Sequence, residues 1–200
     1  MNSPALHTAR QAEVSIRADE IETGRLRLRM FSLNDLPPLS LITKDPEVMK
    51  YIGAGKPIST EETRSNLVKL VETFKRRGFG RWAVIHKTHN RLIGYCGFTV
   101  LDERAGVELA YLLARPFWGK GLATEAARAC LRYGFDKLHF DTIAAITRAE
   151  NTASQRVMEK VGMKYLRRGP HCNMECVHYT ISKEEFEFSR ELYRLRRAFS

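Results

Sequence analysis

The sequence predicts one domain of mixed structure (α/β, mixed α+β): a central, mixed but mostly antiparallel twisted sheet with helices on both faces. Three observations predict it. Segments 81–86, 92–101 and 107–113 are strand-like and separated by short turns, the spacing of an antiparallel meander. Helix-patterned segments precede that meander and alternate with strands after it, for which helices on both faces of a mixed sheet are the economical packing. The length, 200 residues, suits one sizeable core and is short for two enzymatic domains.

Each element has its own signal. Residues 1–20 carry weak periodicity and read as a flexible arm; the domain spans 21–183, with a helical extension over 184–200. Leu26, Leu28 and Met30 alternate with Arg25, Arg27 and Arg29 as in a half-buried strand, and Asn34-Asp35 starts a helix. A short helical region runs through Tyr51, and Gly53, Gly55 and Pro57 mark a loop. Ser59 and Glu62 have capping-box spacing, and Leu67, Leu70, Val71 and Phe74 recur at helical intervals up to a stop at Gly78. Within the meander, His89-Asn90 and residues 102–106 supply the turns. Leu122, Ala126, Ala129, Cys130 and Tyr133 then form a helical face reaching about Lys137. A strand over 141–147, a helix over 151–161 stopped by Gly162, strands over 163–168 and 174–181 and a helix from Lys183 complete the chain. The predicted order is β, α, α, β, β, β, α, β, α, β, β, α.

Composition narrows the function. With 44% hydrophobic and 28% charged residues the chain reads as globular. No apolar run approaches the roughly 18 residues of a membrane span, and the N-terminus has no apolar signal core, so a cytoplasmic location and no membrane partner are expected. A formal charge of +10 points to an anionic partner without saying whether it is a phosphorylated cofactor, an acidic peptide or RNA. The dense basic groups at 75–77, 167–168 and 194–197 read mainly as solvated helix ends and loops. Cys96, Cys130, Cys172 and Cys176 suggest no disulfide framework, and the spacing of His171, Cys172, Cys176 and His178 matches no common zinc site, so no metal is expected.

In RPFWGKGLATEA a buried strand ends at Leu113, Pro116 breaks the chain and two glycines open a helix. Helix N-termini offer unpaired N–H groups and partial positive charge, and glycines let backbone approach a phosphate, so the segment reads as a pyrophosphate grip. Its spacing is neither that of a Walker loop nor GxGxxG, which argues against a nucleotide triphosphate. WGKGLA, residues 118–123, resembles the acetyl-CoA motif [QR]xxGx[GA] of the GNAT acetyltransferases, with Trp118 where the general pattern has Gln or Arg. The opening TGRLRLR strand and ENTASQRVMEKVGM, similar to ENxxSxxxxEKxGF, resemble the RimJ/RimL-like branch, with Met163 replacing the usual Phe. The resemblance covers roughly residues 22–182.

It implies a GNAT-type domain, acetyl-CoA as co-substrate and an amine acceptor, either a protein N-terminus, ribosomal in that branch, or a small molecule. A lysine-like amine near pKa 10.4 must lose a proton before attack, at roughly 4 kcal/mol near neutrality, so a base is useful. Glu108 opens the otherwise apolar VELAYLL, where desolvation would raise its pKa; the alternative is a strand-end Glu paired with a surface cation. The resemblance makes Glu108 the base, sets Asn151 near pantetheine and Ser154 near the thioester sulfur, and has the Leu113 backbone pair with pantetheine. Asn151 also suits a helix cap, and Ser154 lies one turn beyond it on the same side. Trp118, Gly119, Lys120, Gly121, Ala123 and Thr124 form the expected pyrophosphate set. Cys130 reads as a packed residue, which favours direct transfer over an acetyl-enzyme. Loops 51–59 and 168–173 are expected to wall the acceptor, with Arg167, Arg168 and His171 favouring an acceptor with negative charge nearby. The competing reading is a non-catalytic scaffold of this family binding ribosome or RNA through its basic surface. Monomer and homodimer both stay open.

Overall fold

The alternation at Leu26 and Leu28 becomes strand β2 (Leu26–Arg29), with both leucines fully buried, in a computed structural model that describes residues 19–102, 106–171, 173–186 and 194–197. Before it stands β1 (Asp19–Glu22), and after it a 3-10 turn (Leu33–Asp35) leads into α1 (Leu36–Thr43). Asp35 fixes that turn. Its carboxylate accepts from the Ser32 amide at 2.9 Å and from both terminal nitrogens of Arg29 at 2.7 Å. The short α2 (Pro46–Met49) precedes α3 (Thr60–Arg77), whose capping box is present: Ser59 N–H donates to Glu62 at 2.7 Å, and Glu62 N–H donates to Ser59 Oγ at 3.1 Å. Gly78, at φ 75°, ends the helix in the left-handed region that favours glycine.

The meander is β3 (Arg81–His86), β4 (Arg91–Asp102) and β5 (Gly106–Leu113). Then come α4 (Leu122–Asp136), β6 (Thr142–Arg148), α5 (Thr152–Lys160), β7 (Lys164–His171), β8 (Met174–Ser182) and β9 (Arg194–Arg197). They form one sheet in the order β7-β8-β6-β5-β4-β3-β2-β1-β9, antiparallel throughout except for β5 beside β6.

Period-two alternation sends Leu109, Ile143, Ala145 and Ile181 to the face covered by α4 and α5. Ala83, Ile85, Tyr95 and Leu112 go to the opposite face, against α1 and Leu67 of α3. Helices on both faces of a mostly antiparallel sheet are thus observed. Among the described residues no helix is long and apolar enough to cross a membrane.

Both ends of the chain depart from the sequence reading. The residues read as an arm through 20 give their last two to β1, a strand of four residues, too short to show a period. In place of the expected C-terminal helix, residues 194–197 form β9, antiparallel to β1 with Ile21 opposite Leu195 and Glu22 opposite Arg194. A basic RLRR segment matches an acidic DEIE strand across one apolar pair, a long-range complementarity that local helical periodicity does not encode.

Candidate active site

The parallel pair at the centre of the sheet is incomplete. β5 and β6 are in register only at Val107 with Ile143 and Glu108 with Ala144. Beyond that point β5 continues to Leu113 paired only with β4, and β6 continues to Arg148 paired only with β8. The inner edges lose their ladder, leaving a notch whose backbone groups suit an extended, amide-bearing ligand.

Glu108 lies at the apex of the notch. It shares a face with Leu112, the face of α1 and α3, and is partly buried. Burial pushes its carboxyl above the ordinary value, against the pull of Arg81, His171 and a hydrogen bond from the Ile146 backbone N–H. Ile146 lies just beyond the last registered residue of β6, so the side chain replaces a ladder bond at the point where the strands part. No described cation forms a salt bridge with Glu108. Of the two sequence readings, the desolvated carboxyl fits the structure and the surface ion pair does not.

The opposite face carries hydroxyls. Tyr111, three residues along β5, packs toward α5, where its hydroxyl lies 2.8 Å from Ser154 Oγ and donates to the Ser154 carbonyl at 3.0 Å. With its own proton on the carbonyl, Tyr111 accepts from Ser154. Burial raises the tyrosine pKa strongly, so it stays a neutral phenol. Tyr111 is the site residue the sequence reading missed; its signal is a second polar group in VELAYLL, at an odd offset from Glu108 and hence on the other face. Asn151 caps α5: Oδ1 accepts from Ser154 N–H at 3.2 Å and Nδ2 donates to Thr147 Oγ1 at 3.0 Å.

At the wide end of the notch, Gly119 and Gly121 sit at φ 72° and 74°, and Gly121 caps α4. The amides of Leu122, Ala123 and Thr124 are first-turn groups without intrahelical partners, and a Cβ built on Gly119 would meet nothing within 4 Å, so the cradle is open. The loop is braced by residues no motif singled out. Arg25 donates from Nη1 to the Lys120 carbonyl at 2.8 Å and from Nε to Glu125 at 2.6 Å, and Thr23 donates to Glu125 at 2.5 Å. Burial pushes Glu125 up, but these bonds outweigh it and hold the carboxyl below its ordinary value. Trp118, exposed, donates its indole N–H to the Leu113 carbonyl at 2.7 Å, so that carbonyl is already engaged and Trp118 acts through its side chain. The exposed Lys120 ammonium stands 5.7 Å from the Phe117 ring centre. The region is electropositive: burial, His89, Arg25 and Lys120 together push His86 down.

The two loops expected at the acceptor side reach different ends of the notch. Arg148 Nη2 donates to the Gly53 carbonyl at 2.9 Å, tying loop 51–59 to the end of β6, while His171 is near enough to pull on Glu108. Arg168 does not serve as expected, because Glu175 takes it in a two-point pair at 2.6 and 2.7 Å. Cys130 is fully buried and its thiol is pushed well up by that burial, which suits packing and not nucleophilic attack. Cys172 lies outside the described residues; Cys96 and Cys176 are buried and form no disulfide among the described residues.

The arrangement has close counterparts. A sequence profile of the Acetyltransferase (GNAT) domain matches residues 25–164. The Bacillus subtilis (strain 168) protein YkkB is 36% identical over 149 residues, 73% of this chain and 86% of that protein. A Bacillus licheniformis protein described as an uncharacterized N-acetyltransferase, p20, is 32% identical over 73% of this chain and 83% of its own length. A GNAT-family acetyltransferase structure from Bacillus anthracis superposes with a TM-score of 0.72 at 33% identity, covering 83% of this chain and 99% of that one. The chain therefore belongs to the GNAT acetyltransferase family, enzymes that move the acetyl group of acetyl-CoA onto an amine.

Proposed function

We propose that the notch between β5 and β6 holds acetyl-CoA, with Glu108 as general base and Ser154, supported by Tyr111, as the group that receives the leaving thiolate. The observation that carries this is the placement of the carboxyl on one face of the sheet and the paired hydroxyls on the other, at the point where the strands part. An amine arriving from the α1–α3 side loses its proton to Glu108 while its nitrogen forms a bond to the thioester carbon. The C–S bond then breaks with its electron pair going to sulfur, and Ser154 Oγ turns its hydrogen from Tyr111 to that thiolate on the α5 side, stabilising it by a hydrogen bond, while the proton taken from the amine stays on Glu108 until solvent receives it. Such direct transfer keeps nucleophile and leaving group on opposite sides of the reacting carbon. Leu113 offers its backbone N–H to pantetheine, its carbonyl being held by Trp118, Asn151 orients Ser154 beside it, and Gly119, Lys120, Gly121, Ala123 and Thr124 grip the pyrophosphate in the loop that Trp118 fastens to β5.

The acceptor is a primary amine, either a protein N-terminus, ribosomal by resemblance to the RimJ/RimL-like branch, or a small molecule, in a cytoplasmic enzyme. CoA release with N-terminal peptides, amino acids, polyamines and aminoglycosides tests the reading. Steeply salt-dependent RNA binding without saturable acetyl-CoA binding would support a non-catalytic scaffold instead. Ser154→Ala and Tyr111→Phe should each lower turnover about tenfold or more, and the double variant should fall well short of the product of the two, because one hydrogen bond is lost in all three. Fully multiplicative losses would separate the two hydroxyls.

A further inference from the structure

A cavity of about 440 Å³ lies between α3 and the α1 side of the sheet, on the face that carries Glu108. Its lining is of two kinds. Leu39, Met49, Ile52, Ile58, Leu70 and Leu112 are apolar. Lys69, Arg76 and Arg77 of α3 and Arg81 of β3 are cationic. Lys69, Arg76 and Arg77 fall at offsets of seven and eight residues, one stripe of the helix.

Several basic side chains near the sheet are matched, Arg25 with Glu125, Arg29 with Asp35, Lys87 with Glu22, Lys164 with Glu185 and Arg168 with Glu175. Among the described residues no carboxylate lies within salt-bridge distance of Lys69, Arg76, Arg77 or Arg81. Four cations thus line one cavity, with the Glu108 carboxyl near enough to feel Arg81 and no salt bridge to any of the four among the described residues. Arg81 is held there by a 2.9 Å bond from Nε to Thr99 Oγ1 and by the Tyr95 ring, 5.2 Å from its guanidinium carbon. Thr99, which lines the cavity, stands directly opposite Glu108 across β4 and β5, so the Arg81 that it holds lies beside the base.

We propose that this cavity is the acceptor site and that it selects a free amino acid with an apolar side chain. The amine meets Glu108, the carboxylate is held by Arg81 and the α3 cations, and the side chain lies among the leucines and isoleucines. A peptide N-terminus, whose nearest carbonyl is an uncharged amide, and a polyamine, which is cationic, both leave these four charges unmatched. The inference rests on the acetyl-transfer reading above and names the substrate class of that same site.

The test compares L-leucine, L-leucinamide, 3-methylbutylamine and a leucine-initiated peptide as acceptors for the full chain with acetyl-CoA. Equilibrium binding of leucine and leucinamide to the CoA-loaded protein is measured alongside. Leucine should exceed the amide and the decarboxylated amine in kcat/KM by about tenfold or more, the worth of a charge-assisted bond to a carboxylate. Lys69 and Arg76 are exposed, so the double variant Lys69→Glu, Arg76→Glu should fold normally and raise KM for leucine several-fold with leucinamide unaffected. A peptide or amide used as well as leucine, or a leucine preference untouched by the double variant, overturns the proposal. Leucine binding that prefers the carboxylate but yields no acetyl transfer supports this site and refutes the catalytic reading instead.

Discussion

Replacing Gly121 by glutamate should weaken CoA binding by a factor of about 100 or more, and an affinity within a few-fold of wild type would overturn the pyrophosphate assignment. A side chain at φ 74° costs on the order of 1 kcal/mol, because L-residues avoid the left-handed region. That cost falls on the fold, loaded or empty. The new carboxylate would occupy the end of α4 where first-turn amides and helix polarity await an anion, so it competes with the pyrophosphate and repels it. A Cβ at this position lies 3.6 Å from Arg25 Nη2, within reach of the guanidinium that now braces Lys120 and Glu125. Capturing Arg25 would unfasten the loop as well as fill it. By calorimetry that loss should be plain, whereas Gly121→Ala, whose backbone strain is present with or without CoA, should lose much less affinity and show the strain mainly as a lower melting temperature.

The second large effect is expected from Glu108→Gln. Removing a general base commonly lowers the rate by about 10²–10⁴-fold, and here kcat should fall with little change in KM for acetyl-CoA. The pH profile identifies the role. Burial raises the Glu108 carboxyl, so wild-type turnover should rise with pH through that raised value, and the limb should vanish in the variant. Stability should move the other way. Between the ordinary and the raised pKa the folded protein binds the proton that the unfolded chain releases, so the wild type loses stability as pH rises through that window. The glutamine side chain of the variant carries no such charge, and its amide oxygen still accepts from the Ile146 N–H. The variant should therefore melt higher than wild type at neutral pH, with the difference disappearing in acid below the ordinary carboxylate range. A loss of rate with an unchanged pH profile would make Glu108 a positioning residue.

These two positions also show what the sequence could express. Gly121 was readable because a positive-φ cap at a helix start needs glycine, and such local demands leave a local mark. Glu108 was readable because a carboxyl in an apolar strand is conspicuous, and its desolvation follows from its neighbours in the chain. Ser59 with Glu62, and the meander turns, belong to the same class. What stayed hidden depends on residues far apart. Arg25 and Glu125 are 100 positions from each other, and nothing in either segment signals their contact. Tyr111 looked like part of a core strand until α5 brought Ser154 to its hydroxyl. Arg168 looked like a free cation until β8 placed Glu175 beside it. β9 is the extreme case, since its identity as a strand exists only through β1.

The parted strands have a consequence for the protein as a material. Residues 109–113 and 145–148 hold inner backbone groups that the sheet leaves without a ladder, so the empty fold is a sheet with a slot at its centre. A ligand lying there behaves as a missing strand, and folding and loading become linked equilibria in which each favours the other. Amide hydrogens along both edges would exchange quickly in the empty protein and slow together once the slot is filled, and the working concentration of the cofactor would set how long the enzyme lasts.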